Sequence, residues 1–481
     1  LGFYLPYFAL YVYHELRGER RAAMQNDWAY NEIARVPIWD PRCRRTLVAA
    51  CEVLAENAQL SFSQALGSRR KAVSRILHHQ DTTQQDLLSG HIRATQLRCQ
   101  QEELILIASD TSTFDFSSHK ATQGLGPISD KAHPLGFFVH SALAMTQQGV
   151  PLGLLDQSSW ARDPNEVGIA KQRRQRAYAD KESHKWLQAM RAVEKRLSPT
   201  QKAVLIQDRE ADVFEFFSAP RYEGLDLIIR ATQPRRIDTR GEVGPTTLFA
   251  AMAHSGVIAT KTIHVAAGPK RVERDAVLTV RAATVFIRPP MHGSDPNGPA
   301  IRLSVVRASE ENPPEGVKEP LEWVLLTTLA VEGAEDALHV LDYYTFRWRI
   351  ERFHFVLKSG CGYEKLQLDR LDTLEKALSL YSIVAWRLLY LTYLARDVPD
   401  APCQEALSVF EKDVLELYNR KPIKTVRDAV MAVAKLAGFV CVPSAPNPGV
   451  KTLWQGLRKL QDMTAGYLLA RQPPLLTYGT R

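Results

Sequence analysis

Two short, uninterrupted apolar runs, Leu104-Ile105-Leu106-Ile107-Ala108 and Ala203-Val204-Leu205-Ile206, restrict this chain more than any other feature. Such runs are too short for a fully buried helix and suit strands that are covered on both faces. Each run leads into an acid, through Ser109-Asp110 after the first and Gln207-Asp208 after the second. A carboxylate just past the C-terminal end of a buried strand stands where the ligand sites of α/β sheets gather. The expected fold class is therefore α/β, with Asp110 and Asp208 just beyond two strand ends.

The segments around these runs differ in texture. Residues 42–79 read as two short helices, Cys43–Glu56 and Ser68–His79, separated by the polar stretch Ser61–Gly67 in a helix-turn-helix-like layout. Arg42, Arg44, Arg45, Arg69, Arg70, Lys71 and Arg75 make this segment basic. That suits phosphate contacts, and it equally describes the solvated face of a helical subdomain. From Val257 to Thr328 the pattern turns strand-like, with runs at Val257–Val265, Ala276–Ile287, Ile301–Val306 and Trp323–Thr328 between Pro- and Gly-rich loops. This reads as a β-rich insertion within the α/β core. After Leu338 the chain is expected to be helical, with Leu374–Ala395 as a major helix. Near the C-terminus, Val426, Val430 and Val433, then Leu453, Leu457 and Leu460, form narrow apolar stripes that either pack within their own domain or pair subunits.

Charge says something about partners. Lys and Arg number 61 against 53 Asp and Glu, giving net +8 and a pI of about 9.1, which favours a polyanion. The six cysteines are scattered without a C-x-x-C pair, so neither a zinc site nor a disulfide framework is indicated, and a reducing cytoplasm is the natural setting. Leu1–Val12 is apolar but too short to span a bilayer, and no membrane association is expected. Met24 opens the more ordinary polar segment, so residues 1–26 are expected to be an extension outside the fold.

The most informative segment runs from Tyr344 to Lys358 and is closed by Ser359-Gly360. Read as one helix, it gathers Tyr344, Arg347, Glu351 and Lys358 within about 60° of one another, with Phe346, Ile350, Phe353 and Leu357 on the opposite side. An ordinary surface helix with Arg–Glu pairs has the same look. One acid among cations and a phenol is also what a phosphodiester site requires. Taken singly, Asp110 and Asp208 also fit turn or helix caps, and Glu210 and Asp212 read as helix residues.

The spacing Tyr-x2-Arg-x3-Glu-x6-Lys at Tyr344, Arg347, Glu351 and Lys358 resembles the YREK signature of DDE transposases of the insertion-sequence-four, Tn-five-like family. Asp110-Thr111-Ser112 and Asp208-Arg209-Glu210-Ala211-Asp212 resemble the stretches around that family's two catalytic aspartates. Lys181-Glu182-Ser183, Leu227–Arg230 with Pro234-Arg235, Glu322-Trp323 and Leu453-Trp454 are similar too, so the resemblance runs from about residue 27 to the end.

The resemblance implies an RNase H-like catalytic core over 84–395 with the β-rich insertion at about 236–328. It also implies a helical DNA-binding domain over 27–83 and a helical dimerisation domain over 396–481. Asp110, Asp208 and Glu351 would hold two Mg²⁺ ions, with Mn²⁺ as a substitute, for in-line displacement at phosphorus. Tyr344, Arg347, Lys358, Arg230, Arg69, Arg70 and Lys71 are the expected DNA contacts, and Trp323 resembles the residue that stacks on a flipped base. The implied activity is cut-and-paste transposition by a homodimer on double-stranded DNA, through nicking, hairpin formation, hairpin opening and strand transfer, in the bacterial nucleoid. A metal-dependent nuclease and a domesticated DNA-binding protein are the rival readings.

Overall fold

In the computed structural model the two apolar runs lie side by side in one large mixed sheet. The structure describes residues 28–38, 40–56, 61–167, 178–241, 243–265, 272–291, 295–442 and 447–471, so the expected extension over residues 1–26 lies outside the described residues. The strands are β1 (Leu104–Asp115), β2 (Gly126–Pro127), β3 (Leu135–Met145), β4 (Pro151–Trp160), β5 (Lys202–Gln207), β6 (Leu225–Arg230), β7 (Val257–Val265), β8 (Arg274–Ile287), β9 (Ile301–Ser309) and β10 (Glu322–Thr327). Their order is β2-β3-β1-β5-β6-β10-β9-β8-β7, with β4 also on β3. β1, β5 and β6 run parallel, and the remaining pairings are antiparallel.

One expectation changes here. Asp110 does not lie past the end of its strand. β5 leaves β1 at Ala108↔Ile206, but β3 goes on pairing with β1 from Asp110↔Ser141 to Asp115↔Gly136. One paired edge keeps the backbone extended after the apolar run has stopped. The β-rich stretch joins the same sheet, because β10 pairs with β6 and carries β9, β8 and β7 beside it. An unpaired β6 edge would leave a row of open backbone groups, and β10 closes it.

The helices before the sheet are α1 (Trp28–Ile33), α2 (Pro41–Glu56), α3 (Phe62–Leu66), α4 (Arg70–Leu77) and α5 (Gln84–Cys99). The Ser61–Gly67 stretch holds a helix because Ser61 and Gln64 form a reciprocal capping box. Further on come α6 (Lys185–Arg196), α7 (Phe214–Ser218), α8 (Leu248–His254), α9 (Ala334–Thr345), α10 (Trp348–Phe355), α11 (Leu371–Asp397), α12 (Val409–Asn419), α13 (Val426–Leu436) and α14 (Val450–Ala470).

Strand alternation divides the core. Leu106, Ala108, Val204, Ile206 and Ile228 form one face, in a single cluster with α11, α10 and the N-terminal residues Ile33, Leu47 and Leu77. The N-terminal helices therefore share the sheet's core. Ile105, Ile107, Ala203, Leu205 and Leu227 form the other face, beneath Trp186 and Met190 of α6. α11 is the one helix among the described residues long and apolar enough to cross a membrane, and 83% of its apolar window is buried in the fold.

A smaller core joins α11, α13 and α14. Leu453 and Leu460 are 2% and 0% exposed within it, so the C-terminal stripe is spent inside the chain and is not a free pairing surface. Gly456 permits the contact, since a Cβ there would meet the Val433 carbonyl oxygen at 2.0 Å.

Candidate functional site

Register brings the acids together. The parallel pair Ala108↔Ile206, carried on by two residues, sets Asp110 beside Asp208, and Gln207↔Ile229 carried on by one sets Asp208 beside Arg230. On its other side Asp110 pairs with Ser141, and Ser141 with Gln157. Arg230, Asp208, Asp110, Ser141 and Gln157 thus form a polar row across neighbouring strand positions, on the face that carries the larger core.

Glu351 comes to this row on α10, which packs on β1. The segment from Tyr344 to Lys358 is not the single helix its pattern suggested. α9 stops at Thr345, a tight turn follows in which the Arg347 N–H donates to the Tyr344 carbonyl at 3.1 Å, α10 begins at Trp348, and a π turn covers Val356–Gly360. Across these changes of pitch Arg347 still lies against both Tyr344, 6.0 Å from its ring centre, and Glu351. Lys358 reaches β1, where its ammonium donates to the Thr113 carbonyl, lies 5.0 Å from the Phe114 ring centre and stands 3.7 Å from Glu364.

Arg347 is the centre of charge. It is 7% exposed, and its Nη2 donates to Glu351 Oε1 at 2.6 Å. Burial raises the carboxyls of both aspartates. For Asp110 the neighbouring Asp208 adds to the effect, Arg347 offsets part of it, and the result is a rise to about 7. As the side chains stand, no group of three His, Cys, Asp or Glu among the described residues is poised to grip one ion, and Glu351 is engaged by Arg347.

The other expected residues divide. Tyr344 is buried at 2% exposure, with its ring edge-on to half-buried Trp323 at 5.8 Å. Arg230 donates from Nη2 to the Glu322 carbonyl at 3.1 Å, next to Trp323. Arg69, Arg70 and Lys71 are exposed at the start of α4, away from the acids in sequence and in contacts. Arg70, Lys71, Arg75 and His78 line a groove of about 840 Å³ whose far wall includes Lys365 and Asp369, beyond the π turn.

Asp208 does cap the following turn, accepting from the Glu210 N–H at 2.8 Å. Asp212 ends that turn and is not a helix residue. It is buried, accepts from the N–H groups of Thr232 and Gln233 at 2.7 and 2.9 Å, and pairs with Arg235 at 2.6 Å. The loop after β6 is tied down as a result.

Ser141, Gln157 and His354 went unnoticed in the sequence. His354 is 4% exposed, and burial, then Lys358, push its imidazole down to about 3, so the ring is neutral. A signal existed: His140-Ser141 interrupts the long apolar strand Phe137–Met145, a local rule broken without local reason. No known protein-family model matches the chain.

Proposed function

We propose that this chain is a cut-and-paste DNA transposase with an RNase H-like core, in which Asp110, Asp208 and Glu351 hold two Mg²⁺ ions. The observation that supports it most is the meeting of two acids in strand register with a third from α10, around one buried guanidinium. The donor set fits the metal: carboxylate oxygens are the hard ligands Mg²⁺ and Mn²⁺ take, and a divalent cation would offset the burial and the Asp208 repulsion that raise Asp110 to about 7. Two ions held by Asp110, Asp208 and Glu351 would supply an activated nucleophile and charge stabilisation at the leaving oxygen.

The protein's own cations do the remaining work. Arg347 and Arg230 border the acids and offer donors to phosphate oxygens, and Lys358 does so from the π turn, beside β1. The groove beside Arg70, Lys71 and Arg75 offers the DNA backbone a track between α4 and the segment after the π turn. Pairing of two ends by a homodimer belongs to the same reading, through surfaces other than the buried leucine stripe.

Flanking DNA with inverted ends, purified protein and Mg²⁺ test this. Joined products on a plasmid target are expected. Cleavage without joining would make the chain a nuclease, and binding without cleavage a DNA-binding protein.

Arg347→Ala and Lys358→Ala are each expected to slow single-turnover cleavage roughly ten- to hundredfold, the worth of one charge-assisted hydrogen bond. End binding, spread over many other cations, should change little in a gel shift. Equal loss of both would assign these residues to general docking.

Trp323 is half-buried and has its neighbour Tyr344 fixed behind it. A base lifted from the stack to let the backbone bend would regain about 1–3 kcal/mol on such a platform. Trp323→Ala is therefore expected to keep the first nick and lose hairpin formation, with an altered 2-aminopurine signal beside the cut. Normal hairpins from this variant would make the residue structural only.

A further inference from the structure

We infer that His354 is a positioning residue for Asp110: a buried hydrogen-bond chain fixes its tautomer and ring so that Nδ1–H faces the carboxylate. This rests on the reading of Asp110 as a metal ligand.

Donor and acceptor roles can be followed from the far end. The Ser382 hydroxyl donates to Gln157 Oε1 at 3.0 Å, and Gln84 Nε2 also points at that oxygen at 3.5 Å. The Gln157 amide is thereby oriented, and its Nε2 donates to Ser141 Oγ at 3.2 Å. Ser141 Oγ accepts that bond, and the side-chain acceptor within reach of its own hydrogen is His354 Nε2, 3.3 Å away, which assigns the donor role to the hydroxyl. A neutral imidazole that accepts at Nε2 carries its hydrogen at Nδ1. Nδ1 stands 3.8 Å from Asp110 Oδ2.

That separation is longer than a hydrogen bond, so the ring acts on the carboxylate as an oriented N–H dipole at close range. The strand register gives the arrangement its rigidity. Ser141 and Asp110 are paired neighbours on β1 and β3, so one ring spans both side chains from above. Each member is buried: Ser141, Gln157 and Ser382 are 0% exposed. A buried chain whose hydrogens are all assigned has one low-energy arrangement, which suits it to hold a carboxylate rotamer.

The test is Mn²⁺ binding to the full chain without DNA, followed by electron paramagnetic resonance. Wild type is expected to bind, and Asp110→Ala to lose binding. His354→Phe and Ser141→Ala are expected to weaken it about 10–100-fold and severalfold respectively, the first being the usual effect of an outer-shell partner. His354→Asn, which puts an N–H near the Nδ1 position, should bind more tightly than His354→Gln, which puts it near Nε2. Affinities in His354→Phe within threefold of wild type would overturn the proposal, as would equal affinities for His354→Asn and His354→Gln, a comparison that holds even if the phenylalanine variant fails to fold. If Asp110→Ala binds Mn²⁺ like wild type, the metal-site reading itself is wrong.

Discussion

Alanine at Asp110, Asp208 or Glu351 is expected to abolish DNA cleavage and joining, by at least about a thousandfold, while end binding persists. Metal-assisted charge stabilisation is worth several kcal/mol, and each 1.36 kcal/mol is tenfold in rate. Gel shift and cleavage on the same fragments measure both, and near wild-type cutting by any one variant removes that residue from the site.

The same acids predict a stability signature. Burial, then Asp208, raise Asp110 from 3.8 to about 7, so the folded state holds this proton more tightly than the unfolded chain. The metal-free protein therefore loses stability as pH rises from about 4 to about 7 and gains none above. Asp110→Asn removes that loss, on the order of 2–4 kcal/mol, and should melt higher than wild type at pH 8 without Mg²⁺. Added Mg²⁺ should raise the melting temperature of wild type more than that of the variant. A variant less stable than wild type at pH 8 would contradict this account of burial and repulsion.

Glu32→Ala is expected to destabilise the fold by about 2–4 kcal/mol, because it leaves the part-buried Arg98 guanidinium and the buried His91 N–H without their acceptor. Glu32 Oε1 accepts from Arg98 Nη1 at 2.8 Å, and its Oε2 lies 2.5 Å from His91 Nδ1. His91 Nε2 accepts from the Leu154 N–H at 3.0 Å, so the ring donates to Glu32 from Nδ1. Arg98 stacks 4.3 Å over Trp386 of α11. This lock ties α1, α5, β4 and α11 into one body. Gly90 makes room for it, since a Cβ there would meet the Glu32 carbonyl oxygen at 2.4 Å.

Burial alone would raise Glu32, but Arg98 and His91 outweigh it and hold the carboxyl at about 2. Its contribution is therefore full above about pH 4.5 and lost as pH falls towards 2. Urea unfolding at pH 7 measures the loss. A change below about 1 kcal/mol would mean the network adds no net stability, as exposed ion pairs often do not.

Much of this molecule was legible in its sequence, for physical reasons that differ by element. The runs Leu104–Ala108 and Ala203–Ile206 became strands because full burial on both faces demands unbroken apolar side chains. The four strand runs between Val257 and Thr328 fell close to their expected bounds, since alternation over Ile301–Val306 and its neighbours is a local property. α11 extended Leu374–Ala395 by a few residues at each end. Singly each acid fits a cap or a surface ion pair, and the three stood out only together, through the spacing Tyr-x2-Arg-x3-Glu-x6-Lys and the two strand-linked aspartates.

What only the tertiary structure decided is what depends on partners far along the chain. Asp110 lies inside β1 because β3 keeps pairing where β5 has left, and nothing near residue 110 encodes that choice. The turn at Phe346-Arg347 and the π turn at Val356–Gly360 interrupt a pattern that reads as one helix, because α9 and α10 answer to different packing surfaces. Leu453 and Leu460 are buried by α13, although an apolar stripe looks the same whether a neighbouring helix or a second subunit covers it. Sequence spacing states which residues share a face; long-range register states which faces meet, and it was register that put Arg230, Asp208, Asp110, Ser141 and Gln157 in one row.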